Sequence, residues 1–220
     1  MNINNNASDK ENFWIKVYMK QQDNSFEALV KASIWRAYRD FSRTLHGLTK
    51  LKFSKDEVDE KRKEFEKILF DIVHEVRSLK EFSSQDEFDK WHEEKCKLLK
   101  ENFREIMKYE NIYIGQCQKW INMTLKYLFM LGENRISGIE TNYRFFHVPI
   151  DNIIQDEFLE KYQIAKLEKP WSRTEDYDKY LNYQKEIRQK IGGSEIPLQL
   201  EIKLFNNATR VSDNYSNDQF

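Results

Sequence analysis

Residues 113–131 read YIGQCQKWINMTLKYLFML, and the placement of this segment decides the fold. It is too apolar for a surface helix, yet it carries Lys119 and Lys126 seven residues apart, which an ordinary core helix would not. At about 100° per residue, with Lys119 at the origin, Met123 falls at about 40°, Met130 at about 20°, Lys126 at about 340° and Asn122 at about 300°. The rest of the circumference is dominated by Trp120, Ile121, Leu125, Tyr127, Leu128 and Phe129, so about three quarters of it is apolar. Such a helix is enclosed by protein on most sides. Its narrow polar sector is expected to face a cleft and not the open surface.

The rest of the chain is consistent with a helical setting. Six glycines and three prolines in 220 residues, with 33% of the residues charged, favour long helices joined by short connections. We therefore expect an all-α fold, with one largely buried central helix and a cleft between two helical subdomains. Its parts are subdomains at 10–110 and 111–206, in a single domain flanked by flexible tails at 1–9 and 207–220, whose polar composition buries too little to order them. Local signals mark the helices. Ser54 with Glu57 forms a capping-box pattern, Ser84 precedes another amphipathic run, Asp151 follows Pro149 as a helix N-cap, Gly192 and Gly193 end a helix, and Pro197 starts the last one.

Charge narrows the partners. With 36 basic and 37 acidic residues the net charge is −1, so no global field draws the molecule to nucleic acid or anionic lipid, and any such binding must use a local patch. The only cysteines, Cys96 and Cys117, make no disulfide framework, and no Cys/His cluster has zinc spacing, so neither metal nor cofactor is expected. No apolar run approaches the roughly 18 residues of a membrane span. We expect a monomeric cytoplasmic protein with no membrane partner.

Two roles are open to the lysines. In a mostly apolar helix a lysine commonly snorkels to solvent. In a partly dry cleft, an amine loses the solvation of its charged form and becomes a candidate nucleophile for an electrophilic carbon. Asp151 is the natural partner, because a helix N-terminus favours an ionised carboxylate.

QKWINMTLKY, a loop, and then HVPID together resemble the helix-hairpin-helix DNA glycosylase superfamily, most closely its archaeal 8-oxoguanine DNA glycosylases. The matching residues are Gln118-Lys119, Lys126 two turns on, Pro149-Ile150-Asp151, and the closing YLNYQKEIRQKI and IPLQLEIKLF segments. The resemblance covers roughly residues 113–206 and implies Lys119 and Asp151 as the catalytic pair of a base-excision glycosylase, with or without Schiff-base AP lyase activity. It implies a duplex with a damaged base, such as an oxidised purine, as the partner. Lys126, Met123, Glu201, Phe205 and Trp120 would then bind substrate, and Arg135, Arg144 and His147 would contact nucleic acid. The sequence departs from the family at Glu201 (an aspartate there), Phe205 (a tryptophan) and Met123 (an aromatic), and it lacks the glycine-rich hairpin, with only Gly115 nearby. The alternatives are a catalytically inactive relative that binds nucleic acid or a nucleobase, and a helical protein-interaction or phage-defence accessory protein.

Overall fold

The structure, a computed structural model, describes residues 5–193 and 195–208, the side chains of residues 5–8 and of Thr49 excepted. Among these residues there are eight α-helices and no strand, so the all-α expectation holds. In chain order they are α1 (Asn5–Trp14), which continues as a π-helical turn Ile15–Met19, α2 (Phe26–Ser42), α3 (Lys55–Ser78), α4 (Gln85–Met107), α5 (Ile114–Leu131), α6 (Asn152–Tyr162), α7 (Tyr177–Ile191) and α8 (Pro197–Asn207). Residues 5–9, expected as a tail, begin α1; of the expected C-terminal tail, everything beyond Ala208 lies outside the described residues, as do residues 1–4.

Local chemistry sets the helix ends. Ser54 Oγ accepts from the Glu57 amide at 3.3 Å while Glu57 Oε2 accepts from the Ser54 amide at 2.7 Å, a reciprocal cap that satisfies two donors. Ser84 caps α4 at the Glu87 amide, and Asp151 caps α6 by accepting from the Ile154 amide at 2.9 Å. Gly192 ends α7 at a φ of 70°, which glycine adopts without cost, and Pro197 opens α8 where a missing N–H is harmless.

The central element is α5, in which every residue except Phe129 and Met130 is buried. It packs along α2, against α4, and under the short turn Trp171–Arg173. That last contact is tight. A Cβ at Gly115 would sit 1.7 Å from the Trp171 carbonyl oxygen, and the Gly115 amide donates to Thr174 O at 2.8 Å. Gly115 is therefore a packing glycine in the first turn of α5. α6 and α7 both pack on α8, and buried apolar side chains from Ile15 to Leu204 form one continuous core.

Candidate functional site

A cavity of about 730 Å³ opens beside α5, within the range of about 300–1,000 Å³ typical of small-ligand sites. Helix α5 lines it with Lys119, Met123, Lys126, Tyr127 and Met130. Asn122, at the edge of the polar sector, turns the other way, donating to Gln118 Oε1 and Tyr180 Oη and accepting from His92. The other walls are Asp151 and Ile153 from the start of α6, Glu201, Ile202 and Phe205 from α8, Arg36, Arg39, Asp40 and Arg43 along α2 and its C-cap, and Trp14 and Tyr18.

Lys119 and Asp151 meet in this cavity. Lys119 Nζ donates to Asp151 Oδ2 at 2.8 Å and reaches Pro149 O at 3.4 Å, with its side chain 3% exposed against 25% for Asp151. The lysine does not snorkel. Its side chain is buried, and its amine lies 5.7 Å from the centre of the Trp171 ring. The second carboxylate oxygen, Oδ1, is held by the Ile154 amide, so the α6 cap that fixes the carboxylate also aims it at the lysine. Burial pushes the Asp151 carboxyl up, but the Lys119 charge, the Ile154 amide and the Lys119 hydrogen bond together outweigh it and hold the group below its ordinary value.

A second pair lines the same cavity. Lys126 Nζ is 2.8 Å from Glu201 Oε1 and 2.6 Å from Oε2, with both side chains almost fully buried, and it sits 5.3 Å from the Phe205 ring centre. For Glu201 burial wins over the attraction of Lys126, and its carboxyl is raised. Asp40, on α2, accepts from Tyr127 Oη at 2.7 Å; burial raises this carboxyl too, against that hydrogen bond and the Lys119 charge. One cavity thus holds a carboxylate kept ionised and two pushed toward the neutral form, the kind of divergence that separates acid from base roles.

Six of the sequence-predicted residues, Lys119, Asp151, Lys126, Met123, Glu201 and Phe205, line this one cavity. Trp120 does not. It points about 100° away from Lys119 into an aromatic cluster with Tyr38, Phe41 and Phe65, and its Nε1 donates to Ile34 O at 2.9 Å. The residues expected at phosphates lie elsewhere. His147 is fully buried between Asp89 Oδ1 at 2.8 Å and Tyr180 Oη at 2.9 Å, out of reach of any backbone phosphate. Arg135 is tied to Glu11 at 3.2 Å and Arg144 to Glu81 at 2.6 Å, and neither lines the cavity. The residues that sequence reasoning missed are Asp40 and the α2 arginines. Their signal was present in WRAYRDFSR, where Arg36, Arg39 and Arg43 recur at helical spacing.

No family model, curated protein or solved structure matches the chain. The glycosylase resemblance therefore rests only on the sequence segments quoted for it. Among the described residues no group of three or more His, Cys, Asp and Glu side chains is placed to hold a metal, and no helix is long and apolar enough to cross a membrane. What the cavity offers is charge. Arg36, Arg39, Arg43, Lys119 and Lys126 face Asp40, Asp151 and Glu201, an excess of two basic side chains in a chain of net charge −1.

Proposed function

We propose that this protein is a base-excision DNA glycosylase acting on a damaged base, an oxidised purine being the leading substrate class, with Lys119 as nucleophile and Asp151 as its electrostatic partner. The observation that carries the proposal is the buried amine 2.8 Å from a capped carboxylate inside a cavity of about 730 Å³. A surface pair at that distance would mean little. A buried amine held against a capped carboxylate at the edge of an open cavity stands where a nucleophile is needed.

A base inside a duplex hides its glycosidic carbon, so the nucleotide must first be extruded into the cavity. Lys119, having released one proton to solvent, attacks C1′ of the sugar; the bond from C1′ to the base breaks, and its electron pair leaves with the base. Asp151 stabilises the positive charge that develops on the sugar. The departing base takes its proton from solvent. The proton left on the new C–N bond passes to Asp151 and from there to the ring oxygen as the sugar opens to an iminium, the Schiff base. Loss of a C2′ proton then expels the 3′ phosphate and nicks the strand.

Strand-cleavage assays on duplexes carrying oxidised, deaminated or mismatched bases test this reading. The wild type is expected to release one class of base, the Lys119→Gln variant to lose at least about a thousandfold in rate, and Asp151→Asn to fall comparably. Full activity in Lys119→Gln would remove the lysine from the chemistry.

One observation favours a second reading, a relative that binds a base without cutting. Lys119 already donates to Asp151 and Pro149, which ties up the amine in the resting protein. That reading predicts tight binding of a damaged duplex with no turnover, unchanged in Asp151→Asn.

A further inference from the structure

The glycine-rich hairpin of the helix-hairpin-helix superfamily is missing from this sequence, and Gly115, the one glycine near its place, packs against Trp171. The positive surface lies elsewhere. Arg36 and Arg39 in α2 and Arg43 at its C-cap are spaced i, i+3 and i+7, which places them within about 60° of one another around the helix and about 10 Å along it. All three line the cavity that Lys119 and Asp151 also line.

Their partners, or lack of them, distinguish these arginines. Arg39 and Arg43 are exposed, and among the described residues neither has a carboxylate within ion-pair distance. Arg36 is half-buried over the Tyr18 ring at 4.1 Å, and its Nε is buried without a hydrogen-bond acceptor. Asp40, four residues on in the same helix, is engaged by Tyr127 Oη. By contrast the arginines on the far loop, Arg135 and Arg144, are each committed to a glutamate.

We propose that this face of α2 is the track on which a nucleic-acid backbone lies, its phosphates held by Arg39 and Arg43 at the rim while Arg36 meets the phosphate nearest the cavity mouth. The proposal rests on the glycosylase reading of the cavity and gives it the DNA contact that net charge and the missing hairpin withhold. A guanidinium fork binds a phosphate through two parallel hydrogen bonds, and unpaired exposed arginines give up no existing ion pair to do so. The N-terminal half of the chain, for which the sequence resemblance implies no role, thereby supplies half of the substrate site.

The test is fluorescence anisotropy of a short undamaged duplex with the full chain across a range of salt concentrations. Each phosphate contact contributes about 0.9 to the slope of log affinity against log salt, so the Arg39→Gln/Arg43→Gln variant is expected to show a slope shallower by roughly 1.8. The Arg135→Gln/Arg144→Gln variant is expected to keep the wild-type slope. Both variants change half-buried or exposed side chains, and a thermal melt matching the wild type checks that they fold. Equal slopes in the wild type and Arg39→Gln/Arg43→Gln would overturn the track, and they leave the glycosylase reading standing if the wild type still releases a base. A wild type that binds no duplex at any salt overturns both. Equal competition by polyglutamate of the same charge would replace nucleic acid by an acidic protein as the partner.

Discussion

At the residue scale, Lys126 and Glu201 show how much the site depends on pairing. Two charges taken out of water are tolerable only while each compensates the other, and removing one strands its partner. Lys126→Met is therefore expected to lower stability by about 3–5 kcal/mol in urea unfolding, and adding Glu201→Gln to recover most of that loss. A loss under about 1 kcal/mol for Lys126→Met would mean that Glu201 is not held buried by this lysine. The same scale explains which site residues were legible. Lys119, Met123 and Lys126 follow from a 3.6-residue period, because residues four and seven apart share a face. Trp120 follows Lys119 directly in sequence and for that reason faces elsewhere, into the rings of Tyr38 and Phe41.

At the element scale, helix ends were legible and helix partners were not. Ser54, Ser84, Asp151, Gly192 and Pro197 each act on backbone groups within a few residues, so sequence alone displays them. The helical spacing of FEALVKASIWRAYRDFSRTL becomes α2, while Lys20 at a φ of 54° and the Ser25 cap separate it from α1 and its π-helical turn. The role of Gly115 was hidden because its neighbour, Trp171, comes from 56 positions away along the chain. Gly115→Ala drives a methyl into a backbone carbonyl and is expected to cost about 3 kcal/mol or more. Gly193→Ala meets nothing within 4 Å among the described residues and serves as the control, expected within about 0.5 kcal/mol of the wild type by thermal melting.

At the scale of the whole molecule, a buried polar network ties α4, α5 and α7 to the loop before α6. Asp89 accepts from His147, Tyr180 donates to His147 and accepts from Asn122, and Asn122 accepts from His92. His147 looked like a loop residue free to meet a phosphate because sequence does not show that Asp89, 58 positions earlier, closes over it. Burial lowers His147 from 6.5 to about 4 despite Asp89, and lowers His92 well below 6.5. Both are depressed in the folded state, so between those values the unfolded chain binds more protons, and stability rises with pH. Stability is then expected to be full above pH 6.5 and to fall toward pH 4, with His147 alone accounting for roughly 3 kcal/mol. Urea midpoints measured across that range check it, and a flat profile would contradict buried neutral histidines.

The central claim is that Lys119 forms a covalent bond to the sugar of an excised nucleotide. Borohydride reduction during turnover on a cleaved duplex, followed by peptide mapping of the trapped adduct, tests it most directly. The account predicts a protein–DNA adduct whose modified residue is Lys119, absent from Lys119→Gln and retained in Arg135→Gln/Arg144→Gln. An adduct on another residue, or base release with no adduct at all under reduction, would contradict it.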